Sequence, residues 1–407
     1  MKLIYGKMIA LVLVLIAFAA SAQEPDPLHG DFTSKPSLVW RFAVTAPVYA
    51  SPVMEDGAVY FGVLDSIFYA LDIATGKPLW RFKTQGAIRS TALLSAGRIY
   101  FLSGDGLLYC LDKSGKKVWA AFLGPEKQYD FADYHQSSPV LWGRTLYIGS
   151  GNGCVYALQA ADGTLLWKYQ TGGVVHGTPA VDSSRVYVGS FDGYVYALGI
   201  ADGALQWKFK TVGHRYFPAG EVQGSPTLSG GLVIIGARDY NVYALDAEKG
   251  FCHWNKAFTR GWVLSNTVKD SMLLMAGADE RILSALDPRN GREYWKRDME
   301  FLMFGKPAFS QTMLYIGTTI GKLHAVDRTS GEEVWTFATE GYANNRLKYF
   351  KEDDTYRDDI YSIIKSNEHF LEVEMELGGI FSTPAIDGES IVFTSTEGAV
   401  YCLKAIQ

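Results

Sequence analysis

The chain is 407 residues long, 48% hydrophobic and 20% charged, with 42 glycines. That composition excludes disordered and collagen-like proteins. Lys and Arg number 38 against 43 for Asp and Glu, a formal net charge of −5, so no broad basic field draws the chain onto nucleic acid by counterion release.

The first segment carries Lys2 and Lys7, a mostly apolar run from Met8 to Ala20, and the small-residue triplet Ala20-Ser21-Ala22. This is the pattern of a secretory signal over residues 1–22, too short to span a bilayer comfortably. A mature chain starting at Gln23 is expected, with an extension over 23–37 and one folded unit over 38–407. No Cys stands at the presumed cleavage point, so no lipid anchor is expected there. No later stretch reaches the 18 apolar residues of a membrane span, and an exported chain without a transmembrane span follows. Export permits disulfides, yet Cys110, Cys154, Cys252 and Cys402 are far apart and form no CxxC pair. They read as small buried hydrophobes.

From Trp40 onward one phrase recurs, clearest as "YALDIATGKPLW" (69–80), "YALQAADGTLLW" (156–167), "YALGIADGALQW" (196–207) and "YALDAEKGFCHW" (243–254). Trp40, Trp80, Trp119, Trp167, Trp207, Trp254, Trp295 and Trp335 repeat at a mean spacing of about 42 residues, the blade period of a β-propeller. One unit reads as four strands, "GTPAVD", "RVYVGS", "YVYALG" and "LQWKFKT", whose alternating side chains give the period of two that strands require. Asp105-Gly106, Asn152-Gly153, Asp192-Gly193 and Glu397-Gly398 are the expected hairpin turns. Gly76, Gly115, Gly163, Gly203, Gly250, Gly291 and Gly331 hold a turn before the tryptophan, where a left-handed residue is needed. The tryptophans are expected to dock adjacent blades.

Eight first-to-third-strand sets begin near Ala50, Arg89, Ser137, Gly177, Gly224, Ser265, Gly305 and Ser382. The last set has no fourth strand after it, and "LVWRFAV" at 38–44 has no strands before it. The N-terminal strand should therefore complete the last blade and seal the ring, removing two exposed edges. The expected fold is all-β, one eight-bladed β-propeller of four-stranded blades.

The AxDxxTGxxxW pattern, best matched by Asp72, Thr75, Gly76 and Trp80, resembles the tryptophan-docking repeat of the quinoprotein (PQQ-like) eight-bladed propellers over roughly residues 38–406. Within that superfamily the chain is most similar to the compact non-enzymatic branch typified by the B subunit of the outer-membrane β-barrel assembly machinery. The resemblance implies a periplasmic scaffold with a protein partner in the cell envelope and no cofactor. PQQ with Ca²⁺ is the alternative it leaves, as in the quinoprotein dehydrogenases. Against that alternative, no two Cys are adjacent to form a vicinal disulfide, and no Glu/Asn/Asp set for a calcium ion can be placed on the loops.

Three inter-blade connections are long: "GPEKQYDFADYHQ" (124–136), "VGHRYFPAGEVQ" (212–223) and an insert at about 341–380. All join a fourth strand to the next first strand and open on one face, where long loops tend to carry binding. Tyr129, Phe131, Tyr134, Arg215, Tyr216 and Phe217 are the candidate partner contacts, because aromatic residues and Arg are the usual interface anchors. The insert holds the only helical signal after the leader, with Tyr356, Ile360, Ile363 and Ile364 at helical spacing. Its acids Asp353, Asp354, Asp358, Asp359, Glu368, Glu372, Glu374 and Glu376 read as a solvated face, since no calcium-loop motif is present.

Residues just before each first strand should ring the channel mouth: Tyr49, Arg89, Gln136, His176, Gln223, Asn266, Lys306 and Phe381. Such a ring suits either a water-filled mouth or a small ligand such as a carbohydrate. His135 and His176 are expected from their residue type to titrate near neutrality, but no nucleophile accompanies them. "GSGNG" at 149–153 falls at a hairpin and opens no helix, so it lacks what a phosphate loop needs. With no HExxH, GxSxG or P-loop, no catalytic residue or metal ligand is assigned.

Overall fold

The computed structural model describes residues 31–277, 281–299 and 301–405, so the expected signal segment lies outside the described residues. Eight four-stranded antiparallel sheets follow one another as simple meanders. Blade 1 comprises Val53–Glu55, Ala58–Gly62, Ile67–Asp72 and Pro78–Lys83, and blades 2 to 7 repeat that order. Blade 8 takes Ala385–Asp387, Ser390–Ser395 and Ala399–Lys404 from the C-terminal region and its outer strand, Ser37–Ala43, from the N-terminal one. That strand pairs antiparallel to its neighbour, Ser37 opposite Lys404 and Ala43 opposite Ala399, so the ring closes as expected and leaves no open end.

The repeat residues act between blades. Each indole N–H donates to a carbonyl of the following blade: Trp40 to Ile73 at 2.8 Å, Trp80 to Lys113 at 2.9 Å, Trp167 to Ile200 at 3.1 Å, and so on around the ring. In blade 8 that carbonyl belongs to the N-terminal segment, where Phe32 accepts from Trp335 at 2.6 Å. Phe32 is buried, and Asp31 beside it accepts from the Thr312 amide and hydroxyl. The described end of the extension is therefore pinned to blade 7. The turn glycine meets the same indole: at Gly203, with φ of 69°, a Cβ would sit 2.5 Å from Trp167 Cε3. Glycine is needed there for its backbone conformation and because the ring leaves no room for a side chain.

A small residue faces each tryptophan across the sheet, Ala70 opposite Trp80 and Ala157 opposite Trp167. Cys110 opposite Trp119 and Cys402 opposite Trp40 hold the same slot. All four cysteines are free thiols, and burial pushes both Cys110 and Cys402 up to about 11. Apolar side chains of adjacent blades interdigitate, as where Phe68 stacks on Phe101 with centroids 4.2 Å apart. The core is thus a series of inter-blade seams, each contributing apolar burial at about 25 cal/mol per Å².

The insert differs from the sequence expectation. It forms α1 (Glu340–Asn345), α2 (Ile360–Ile363) and α3 (Asn367–Glu376). The run through Tyr356 and Ile364 yields only the single turn of α2, since Ile364 is already extended. The longer helix α3 begins where Ser366 accepts from the His369 amide at 3.1 Å, an N-cap that the apolar spacing did not reveal. A small separate core of Tyr342, Tyr349, Phe350, Ile360, Val373 and Leu377 packs on Phe301 and Ile320. Nor is the acidic run simply solvated. Asp354 pairs with Lys322 at 2.8 Å and Arg346 at 2.6 Å, Glu376 pairs with Lys348, and Glu374 is buried.

Candidate functional site

The extended segments that lead into the innermost strands face the channel. Arg89, Gln136, His176, Gln223, Lys306 and Phe381 line one cavity of about 370 Å³. The other two expected mouth residues do not line it. Tyr49 is buried, stacked on Tyr134 at 5.6 Å and edge-on to Phe381 at 5.1 Å. Asn266 is buried at a blade seam, accepting from the Thr227 hydroxyl at 2.7 Å and donating to the Ile234 carbonyl at 3.2 Å. In the register of Arg89 and Gln136, blades 6 and 7 instead present Leu264 and Phe304, and both line the cavity.

The loop over 124–136 closes the channel. Its Tyr134, expected on the exposed face, is buried among Tyr49, Leu264, Phe304 and Phe381, with Leu371 and Met375 of α3 packed behind. Asp133 from the same loop lies 2.8 Å from His176 Nδ1, and Glu126 lies 3.3 Å from Nε2. Burial alone would depress the imidazole, but the Asp133 and Glu126 hydrogen bonds and charges outweigh it, pushing His176 up to about 9. The ring is therefore an imidazolium held between two carboxylates at neutral pH. Glu126 also accepts from the Gly151 amide at 2.8 Å and the Ser150 hydroxyl at 2.6 Å, so the chain's own carboxylate occupies the "GSGNG" turn. Burial pushes His135 and Lys306, both on the cavity wall, down from their usual values.

Two positions further along the chain runs a belt that the sequence reading missed. The Ser51 amide donates to Thr91 Oγ1 at 3.3 Å, Thr91 to Ser138 Oγ at 3.0 Å, Ser138 to Thr178 Oγ1 at 3.3 Å, and Thr178 to Ser225 Oγ at 3.0 Å. The Lys306 amide donates to Thr383 Oγ1 at 3.0 Å, and Thr383 to Ser51 Oγ at 2.9 Å. All six hydroxyl residues line the cavity. The recurring Ser-Pro and Thr-Pro dipeptides at 51–52, 138–139, 178–179, 225–226 and 383–384 were the signal that could have found them.

Outside the channel, two loops join into one surface. Tyr129 Oη donates to Glu221 at 3.2 Å, Gln223 Nε2 donates to the Ala132 carbonyl at 3.1 Å, and Asp130 pairs with Arg238. Arg238, absent from the sequence reading, is 1% exposed and lies within 6 Å of the rings of Tyr129, Phe191, Phe217 and Trp262, a cation in an aromatic cage. Around it Tyr129, Phe131, Val212 and Tyr216 are 46, 53, 76 and 62% exposed. Arg215 is exposed and stacks on Tyr216, while Phe217 is half-buried edge-on to Trp262. Among the described residues no group of three or more His, Cys, Asp or Glu side chains is placed to hold a metal ion, and no helix is long and apolar enough to cross a membrane.

These features define a closed eight-bladed propeller of the PQQ-like repeat class, with a plugged channel and one elaborated loop face. Residues 33–128, 104–271 and 278–349 match the family model described as outer membrane protein assembly factor BamB, and the chain belongs to that family. The assembly factor BamB of Kangiella koreensis is 26% identical over 152 residues, 34% of this chain and 37% of that protein. The match thus spans little more than a third of that relative's length. Among solved structures, BamB from Moraxella catarrhalis aligns with a TM-score of 0.67 at 14% identity, covering 91% of this chain and all of that one. Quinohemoprotein alcohol dehydrogenase from Comamonas testosteroni aligns with a TM-score of 0.66 at 14% identity, covering 91% of this chain and 76% of that one. At these identities the structural likeness is one of fold alone.

Proposed function

We propose that the chain is an exported, non-catalytic scaffold of the periplasm that binds a protein partner in outer-membrane assembly. Membership of the assembly-factor family supports the role. The observation that carries the binding reading is the composite face of the 124–136 and 212–223 loops, where exposed apolar and aromatic groups surround the buried Arg238 and its half-buried partner Asp130. Contiguous exposed aromatic surface on a rigid support is what a partner-binding patch requires. The test is a pull-down from an envelope extract with wild type and with Tyr129, Phe131 and Tyr216 jointly changed to Ala. Selective loss of a wild-type partner is expected, and an unchanged set of partners would overturn the reading. Deleting 341–380 in parallel assigns any remaining partner to the insert, whose Tyr361 is 91% exposed.

This reading requires no cofactor. The alternative, PQQ-dependent oxidation, predicts a higher Tm with PQQ plus Ca²⁺ together with alcohol or sugar turnover; the scaffold reading expects neither.

A further inference from the structure

The channel cavity has an imbalance of hydrogen-bonding groups. Each of the six belt hydroxyls spends its oxygen as an acceptor for a neighbouring blade's amide. A hydroxyl has one donor besides its acceptor lone pairs, so each keeps an O–H, and none of the six donates to a protein acceptor among the described residues. Blade 7 breaks the belt with Lys306, whose side-chain nitrogen has neither a hydrogen bond nor an ion pair among the described residues. Arg89 stands on the same wall and reaches only Gln128 Oε1, at 3.4 Å. Of the acids nearby, Asp133 Oδ2 is taken by the Tyr129 amide and His176, and Glu126 Oε1 by the Ser150–Gly151 turn, while Asp133 Oδ1 and Glu126 Oε2 accept no hydrogen bond among the described residues. Arg89 and Lys306 are the two side chains of this wall that can meet an anion as cations, and burial without a partner holds Lys306 below its usual value. The wall presents six unspent hydroxyl donors beside Lys306 and Arg89, in a chain whose formal charge is −5.

A lysine desolvated without a counter-ion is costly and is retained where something offsets the cost. We propose that the channel cavity is a binding site for a small oxyanion bearing carboxylate or phosphate groups, held by Lys306 and Arg89 and oriented by the hydroxyl belt. The anion supplies acceptors to the belt hydroxyls and a counter-charge to Lys306, and the volume of about 370 Å³ falls within the range of small-molecule sites. The aromatic plug around Tyr134 separates this site from the loop face, so it stands independently of any protein partner.

Calorimetric titration of the mature protein with citrate and with inorganic phosphate, at constant ionic strength and with neutral D-glucose as control, tests the proposal. Saturable binding of at least one oxyanion and none of D-glucose is expected; which oxyanion binds separates the carboxylate from the phosphate form. Removing a charge-assisted hydrogen bond by Lys306→Met should weaken binding about tenfold or more, and Lys306→Arg should largely restore it. Because the belt bond at this position comes from the backbone amide, Lys306→Met should fold and, without anion, melt no lower than wild type. Arg89→Gln gives an independent reading of the same wall. Absence of binding by both oxyanions, equal binding of D-glucose, or undiminished affinity in Lys306→Met and Arg89→Gln would each overturn the proposal.

Discussion

Replacing His176 by Gln removes the cation between Asp133 and Glu126 while keeping a side chain able to hydrogen-bond. The His176 pKa rises from about 6.5 to about 9 on folding, and at 1.36 kcal/mol per unit this linkage is worth about 3 kcal/mol. Because the folded value is raised, the stabilisation is fully present below pH 6.5. It declines between pH 6.5 and 9 and is lost above. At pH 7 most of it remains, about 2 to 3 kcal/mol, and by pH 10 it is near zero. The assay is urea unfolding followed by tryptophan fluorescence, wild type against His176→Gln, at pH 7 and pH 10. Lysines and tyrosines that titrate near pH 10 are common to both proteins and cancel in the difference. The pH-dependent part of the gap should close at pH 10, leaving only what the variant loses through packing and uncharged hydrogen bonds. An equal gap at both pH values would refute the imidazolium assignment.

Two further predictions concern the blade seams. Gly203→Ala places a Cβ against the Trp167 ring at a backbone φ of 69°; backbone strain at such a position costs on the order of 1 to 3 kcal/mol, and the lowered urea midpoint should be accompanied by a change in tryptophan emission. Cys110→Ala and Cys402→Ala install the residue that most other blades carry opposite the tryptophan, so each should shift stability by less than about 1.5 kcal/mol, and reductant should leave the wild-type Tm unchanged because the thiols are free.

The ring was legible in the sequence because its determinants are local and repeated. The Trp period set the blade count, the glycine before each Trp marked the turn, and the missing fourth strand after residue 404 called for Ser37–Ala43 to complete blade 8. The channel was less legible because its register drifts. Blades 6 and 7 read "LSNT" and "FGKP" where most other blades carry a hydroxyl before Pro, and the polar residues there drew the assignment two positions past Leu264 and Phe304. Tyr134 was misplaced for a different reason. Loop aromatics are ordinarily exposed, but here the chain turns back into the channel, where several aromatic side chains from different blades make burial favourable. Arg238 gave no signal because it occupies a second-to-third-strand turn, the position of Phe191 in blade 4 and Gly151 in blade 3. Its partner Asp130 is 108 residues away, and no local pattern reports a contact of that separation.

The segment over 124–136 connects the two candidate surfaces. Tyr129 and Phe131 are exposed on the loop face, Asp133, His135 and Gln136 line the cavity, and Tyr134 forms the wall between. The His176 contacts to Asp133 and Glu126 fix both ends of this arrangement to blade 4. A substitution at His176 should therefore disturb the loop face and the cavity together, through loss of loop position. Tyr129, Phe131 and Tyr216 line no part of the cavity, and Lys306 lies on its wall. Changes at those residues separate the two functions, so loss of a partner with intact anion binding, or the converse, assigns each activity to its own surface.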